Sequence, residues 1–348
     1  SVEYSRNNPD SRSLTFLKNS IKEKNPAMNP MTLKETLEDS NVLSNYLRDL
    51  SKEEIISFYR VREDAGGLID IPNVIPDGII IPEEGIFESY INGKFQDKEI
   101  ILGTNRDEHK LFMSGNPRFV KNVLPNFISN LYPTLGLWTK QRNEKFYDAY
   151  SRYQSDAWKL DAVDNASRYI SKINKNNVYA YRFDWDDEPK FLGMNFSKLL
   201  GAAHALEIGF VFNSPEIIDG QKSGLSDLLY KQENAMFDKK LSILMSQYWV
   251  NFAYDGNPNS NPYPLEVKWE HWENKINERF IIFDTENDQG LRMNNAILSE
   301  DSILQNLSSE NLSIEQKCII FDDLFDRTTL SKEVVSSLYD RFLHGKCV

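Results

Sequence analysis

The apolar run Glu99-Ile-Ile-Leu-Gly103 gives way at once to Asn105, Arg106, Asp107 and Glu108, and no other stretch of the chain constrains its fold as tightly. A short, unbroken apolar run bounded by polar residues reads as a strand covered on both faces, because a half-exposed strand would alternate instead. In open α/β sheets the chemistry collects at the carboxyl ends of the strands, which is where these four polar side chains fall. The expectation is an α/β protein, a mostly parallel sheet flanked by helices, with Asn105 to Glu108 at its functional end.

A second stretch, about a hundred residues on, supplies a possible partner: Gly201-Ala-Ala-His-Ala-Leu-Glu-Ile-Gly-Phe-Val-Phe212. Gly201, Ala202 and Ala203 permit close approach, and His204 is one of only four histidines, so a carboxylate and an imidazole are the expected acid and base. Taken singly, Glu108 reads as a loop residue or helix cap and His204 as a satisfied, half-buried ring. Their order and contexts together favour Glu108 and His204 as a catalytic pair. Two neighbours compete: Asp107 for backbone amides of the turn, and Glu207 for His204, three residues away on one expected helix face. That spacing also suits two metal ligands, yet without a third it makes no metal site, and none is expected. His109, His271 and His344 read as surface or packing residues.

Composition narrows the function classes. The chain has 348 residues, ample for a buried core, and 52 acidic against 40 basic side chains leave a net charge of -12 that repels phosphate backbones. Nucleic acid is excluded as an expected partner. The absence of any run of eighteen apolar residues predicts no membrane span, and the polar first 25 residues resemble no signal peptide. The compartment is left unassigned; four Asn-x-Ser sites, at Asn165, Asn195, Asn306 and Asn311, are common by chance in an asparagine-rich chain. Cys318 and Cys347 are too few for a disulfide scaffold or a zinc site, and whether they pair is left open.

The pattern divides the chain into a helical segment over 1–65, a sheet-bearing acid/base part over 66–300 and peripheral helices over 301–348. Leu33, Leu37, Leu43, Leu47, Leu50 and Ile55 recur at helical steps, and Ser51 with Glu54 has capping-box spacing. Val178-Tyr-Ala-Tyr-Arg-Phe-Asp-Trp185 reads as a strand with Tyr179, Tyr181, Phe183 and Trp185 on one face. A long helix is expected from about Lys231 to Tyr254, stopped by Asp255-Gly-Asn-Pro258, and a last strand over Arg279–Asp284. Trp138, Trp158, Phe210 and Phe212 are candidate walls of an apolar pocket.

These blocks, in order, carry a resemblance. Val74-Ile-Pro-Asp-Gly78, Gly103-Thr-Asn-Arg-Asp-Glu108, Gly201-Ala-Ala-His204 with Glu207 and Phe210-Val-Phe212, Tyr248-Trp-Val-Asn-Phe-Ala253 with Gly256-Asn-Pro-Asn259, and Trp269 resemble the carboxyl-terminal part of a type-B carboxylesterase, the family that includes the cholinesterases. The likeness covers about Gly67 to Met293, roughly two-thirds of the chain. It implies the carboxyl-terminal part of an α/β-hydrolase fold and a carboxylic ester hydrolase that works through an acyl-enzyme on a small-molecule ester, without metal or organic cofactor. It implies Glu108 as triad acid and His204 as general base. Two positions depart from the family pattern: Ala205 and His109 stand where glycine usually follows the histidine and the acid. The larger departure is the nucleophile. No Gly-x-Ser-x-Gly elbow occurs between Ser1 and Val348; Gly224-Leu225-Ser226 lacks the second glycine and follows the histidine. Serine and oxyanion loop are therefore expected upstream, the domain incomplete at its amino-terminal side and inactive alone. The alternatives are a non-catalytic cholinesterase-like adhesion or binding protein, and a pseudoenzyme.

Overall fold

The computed structural model describes residues 12–58, 61–62, 68–69, 78–123, 139–173, 177–191, 194–215, 235–260, 265–273, 279–296, 298–325, 332–343, 345 and 347. Val74 to Asp77, Trp138, the Gly224-Leu225-Ser226 stretch, the first residues of the expected long helix and His344 lie outside them. The chain forms two units, residues 1–86 with 327–329, and residues 87–326 with 330–348.

The first unit is helical where leucines recur: Arg12–Lys24, Pro30–Glu38, Ser40–Arg48 and Lys52–Phe58. Its caps follow the local chemistry. Asn29 Oδ1 accepts from the amides of Met31 and Thr32, Asp39 Oδ1 from those of Asn41 and Val42, and Ser51 exchanges reciprocal bonds with Glu54. Phe16 and Leu50 centre a small core against Leu17, Tyr46 and Ile55.

The second unit is built on a four-stranded sheet of β1 (Ile100–Asn105), β2 (Val178–Phe183), β3 (Phe280–Phe283) and β4 (Arg292–Asn294), in the order β4-β3-β2-β1. β1 pairs parallel with β2 and β2 parallel with β3; β4 is an antiparallel edge with no counterpart in the sequence reading. Both faces are covered. Tyr179, Phe183, Ile281 and Phe283 enter the larger core, while Val178, Ala180, Phe280 and Ile282 enter a second one with Val163, Ala166, Ile170 and Trp272. Two apolar faces explain why β3 reads Phe-Ile-Ile-Phe without alternation and is wholly buried. The register sets Gly103 opposite Tyr181, and a Cβ on Gly103 would stand 1.9 Å from the tyrosine ring. Only glycine leaves room for that ring.

The helices of this unit are α1 (Glu108–Ser114), α2 (Glu144–Lys159), α3 (Ala166–Ile173), α4 (Glu207–Val211), α5 (Ala235–Asp255), α6 (Glu300–Ser309), α7 (Ile314–Phe325) and α8 (Lys332–Leu343). A π-helical turn, Leu160–Asn165, joins α2 to α3. α5 lays Leu241, Met245 and Tyr248 into the larger core, and Trp249 meets Tyr181 with ring centroids 5.1 Å apart. The strand face of Tyr179 to Trp185 is thus packing surface. α5 ends at Gly256, whose φ of 66° and amide bond to the Phe252 carbonyl form a left-handed cap.

α7 and α8, expected at the periphery, reach the main core, as does α6, which runs through Ser309 where a linker was expected beyond Leu304. Leu304 and Leu307 from α6, Ile320 and Phe321 from α7 and Leu343 from α8 are buried in the cluster that holds Phe183 and Trp185. Sequence alone shows their amphipathic stripe but not what it covers. Cys318 and Cys347 form a disulfide, with Cα atoms 5.4 Å apart, that ties α7 to the segment after α8. Among the described residues no helix is long and apolar enough to cross a membrane.

Candidate functional site

β1 delivers its last residues into a buried position: Thr104 and Asn105 are almost inaccessible, and the Arg106 amide extends the ladder by donating to the Phe183 carbonyl at 2.8 Å. The chain then turns into α1, whose first residue is Glu108. That carboxylate folds back on the strand. Its Oε1 accepts from the Asn105 amide at 2.8 Å and from Thr104 Oγ1 at 3.1 Å, so this one oxygen is held twice by the end of the strand.

The other oxygen, Oε2, lies 2.6 Å from His204 Nδ1, across 96 residues of chain. The Glu108 side chain is 6% exposed and that of His204 40% exposed, which leaves the imidazole reachable while its carboxylate partner is not. The bond to Glu108 raises the proton affinity of His204 above that of an ordinary histidine, against the opposing effect of burial; Glu207 adds a smaller upward push. Among the described residues nothing is hydrogen-bonded to His204 Nε2.

Four bonds strap the His204 turn to the end of β1. The Asp107 amide donates to the Ala202 carbonyl at 3.0 Å, and the Ala202 amide returns a bond to Asp107 Oδ2 at 3.3 Å. Asn105 Nδ2 donates to the Ala203 carbonyl at 2.7 Å and to Glu207 Oε2 at 2.5 Å. The Asp107 carboxylate therefore accepts from the opposite loop's backbone and caps no amide of its own helix, while pairing with Arg106 and Lys110. Burial pushes its carboxyl up, but Lys110 and Arg106 outweigh that and hold it below the usual range. Arg106 also reaches Asp186 at 2.7 Å.

The helix face expected to unite His204 and Glu207 does not form. His204 lies in the turn before α4 and Glu207 is that helix's first residue, so the carboxylate points at Asn105. The reason is in the backbone: Gly201 at φ 52° and Ala205 at φ 69° are left-handed, and neither continues a right-handed helix. Burial raises the Glu207 carboxyl above the ordinary range. Among the described residues no group of three or more His, Cys, Asp or Glu is arranged to hold a metal ion.

Two aromatic rings wall the imidazole. Phe112 and Trp158 have centroids 5.4 Å and 5.3 Å from that of His204, and stack on each other at 6.2 Å; His109 meets both edge-on. Trp158 belongs to the sequence-based pocket candidates. Phe112 does not, although it follows Glu108 by four residues and so shares its face of α1. Of the other candidates, Phe210 is wholly buried against Phe183 and Trp185, and Phe212 is 76% exposed. His271 faces Glu273 at 3.3 Å, away from this cluster.

Residues 29–301 match the carboxylesterase family. Among curated relatives, para-nitrobenzyl esterase of Bacillus subtilis is 29% identical over 70% of this chain and 44% of its own length. Acetylcholinesterase of Electrophorus electricus is 26% identical over 53% of this chain and 34% of its own. The chain thus spans less than half the length of these relatives. A solved PNB esterase structure covers 78% of this chain and 51% of that one, at 21% identity and a TM-score of 0.49. The mostly parallel sheet with helices on both faces is the α/β-hydrolase architecture. From its matched span, this chain belongs to the carboxylesterase family.

Proposed function

We propose that this chain carries the acid and base of a carboxylic ester hydrolase, with His204 as general base and Glu108 as the carboxylate that orients it. The single observation behind this reading is the 2.6 Å contact between Glu108 Oε2 and His204 Nδ1, made by a carboxylate whose other oxygen is already held by Asn105 and Thr104. A carboxylate fixed in this way keeps the proton on Nδ1 and leaves Nε2 basic, the tautomer that can draw a proton from a hydroxyl nucleophile. As that proton arrives the imidazolium forms beside Glu108, and the pair stabilises it. The raised proton affinity of His204 is the equilibrium counterpart of that stabilisation.

The nucleophile is a serine on polypeptide outside these 348 residues, which contain no Gly-x-Ser-x-Gly elbow. It attacks the ester carbonyl, the alcohol leaves with the proton that His204 carried, and water releases the acyl group by the reverse sequence. Phe112 and Trp158, packed on the imidazole, favour esters with an apolar portion. The test is hydrolysis of a p-nitrophenyl ester by the protein with its upstream serine. His204→Ala is expected to lower kcat by on the order of 10⁴-fold or more. Turnover undiminished in that variant removes the base assignment, and a complete protein that binds but never hydrolyses esters returns the non-catalytic reading.

A further inference from the structure

α2 passes directly into the π-helical turn Leu160–Asn165 before α3 begins. A π turn within a helical run holds more residues per turn than an α-helix and needs a local cause. Here Lys159 Nζ lies 2.6 Å and 2.8 Å from the two carboxylate oxygens of Asp164, and the residues are 3% and 1% exposed. Residues five apart are separated by about 140° around an α-helix of 3.6 residues per turn, too far round to pair, whereas a π turn brings them to nearly the same side. The π turn is thus the backbone geometry in which this ion pair can form. Lys159 Nζ also stands 4.2 Å over the Phe280 ring, from β3.

The residue before Lys159 is Trp158, the ring against His204 and Phe112. The π turn packs on β1, the strand that carries Thr104 and Asn105. We propose that the buried Lys159–Asp164 pair is a positioning device for His204: by holding the π turn closed, it sets the rotation at the end of α2 that presses Trp158 onto the imidazole. The consequence for catalysis rests on reading His204 as the base; the positioning itself does not.

A buried ion pair replaced whole by apolar groups of similar volume commonly leaves stability unchanged, whereas removal of one partner is costly. Lys159→Met/Asp164→Leu in the full 348-residue chain is therefore the informative variant. Two signals report the geometry: the pH midpoint of the His204 ring resonance, and Trp158 emission, isolated by difference from Trp158→Phe. The charged groups acting on this imidazole are Glu108 and Glu207. Trp158→Ala removes an aromatic face, which favours the imidazolium, together with part of the burial that opposes it, and should move the midpoint away from the parental value. The double variant should move it in the same direction and to the same extent, should add nothing when combined with Trp158→Ala, and, with His109→Gln in both parent and variant because His109 also meets Trp158 edge-on, should abolish the pH dependence of Trp158 emission. A folded double variant with the parental midpoint and emission overturns the proposal. Should that variant not fold, Lys159→Met, which removes the donor and leaves a buried Asp164 able to take up a proton and become neutral, is read by the same two signals, and parental values there overturn it too. Neither signal needs ester turnover, so this failure is distinct from failure of the His204→Ala test.

Discussion

Asp107 Oδ2 lies 2.6 Å from the point where a Cβ on Gly201 would stand, and Gly201 itself is left-handed at φ 52°. The acid-bearing turn meets the histidine-bearing turn here with the Asp107 carboxylate laid against bare glycine backbone. Gly201→Ala should cost about 2–4 kcal/mol, from the left-handed backbone and the overlap together. Urea unfolding measures it, and a loss below about 0.5 kcal/mol, within the range of an ordinary surface substitution, would show that the two turns separate freely.

Glu108→Gln keeps the volume and the bonds to Asn105 and Thr104 within reach but removes the charge beside His204. In the complete enzyme kcat should fall by on the order of 10⁴-fold, since the amide no longer enforces the tautomer or stabilises the imidazolium. The His204 midpoint should fall as well. Because the folded value is raised, the stabilisation from this pair is complete below the unfolded value near 6.5 and is lost as pH rises through the folded value. The acidic limb of the kcat/KM profile of the parent should accordingly lie above 6.5, and in the variant should move to lower pH. A limb that does not move points to another base.

Ala205 occupies a left-handed φ of 69° immediately after His204. An alanine there is disfavoured by about 1–2 kcal/mol relative to its right-handed conformation, whereas glycine is not. Ala205→Gly should therefore stabilise the protein by roughly 1 kcal/mol, raising Tm by about 2 °C. A lowered Tm in calorimetry would mean that the alanine methyl makes a compensating contact.

The Cys318–Cys347 disulfide closes a span of 29 residues around α7 and α8. Loop closure on that scale stabilises by about 3–4 kcal/mol through the unfolded chain. Since Ile320, Phe321 and Leu343 belong to the main core, Cys318→Ser should loosen packing that extends to Phe183 and Trp185. Unfolding monitored by tryptophan emission should shift to lower urea concentration in the variant and in dithiothreitol alike. Identical midpoints with and without reductant would argue that the bond contributes nothing in solution.

Much of the strand framework was legible because it is local. An apolar run followed by four polar residues reads as a strand with its polar end at the functional end of a sheet, and β1 spans Ile100–Asn105, although Ile100 to Gly103 are half-buried at the edge of the described sheet and the buried residues are Thr104 and Asn105. The stop of α5 at Gly256 is equally local. The edge strand β4 and the π turn escaped, since three residues carry no period and the extra residue of a π turn mimics a helix with one position out of phase.

What the sequence determined by itself is therefore the kind of side chain at each end of the site: a carboxylate after an apolar strand, an imidazole after Gly-Ala-Ala, and glycine where Tyr181 or Asp107 comes too close. What only the tertiary structure decided is which of them meet. Asn105 takes Glu207 away from His204, Glu108 reaches the imidazole instead, and Phe112 and Trp158 close over it. The physical reason is that backbone preference acts over a few neighbours, whereas a contact across 96 residues depends on two left-handed backbone positions and on the packing of α2 beside β1 and of α4 against α5.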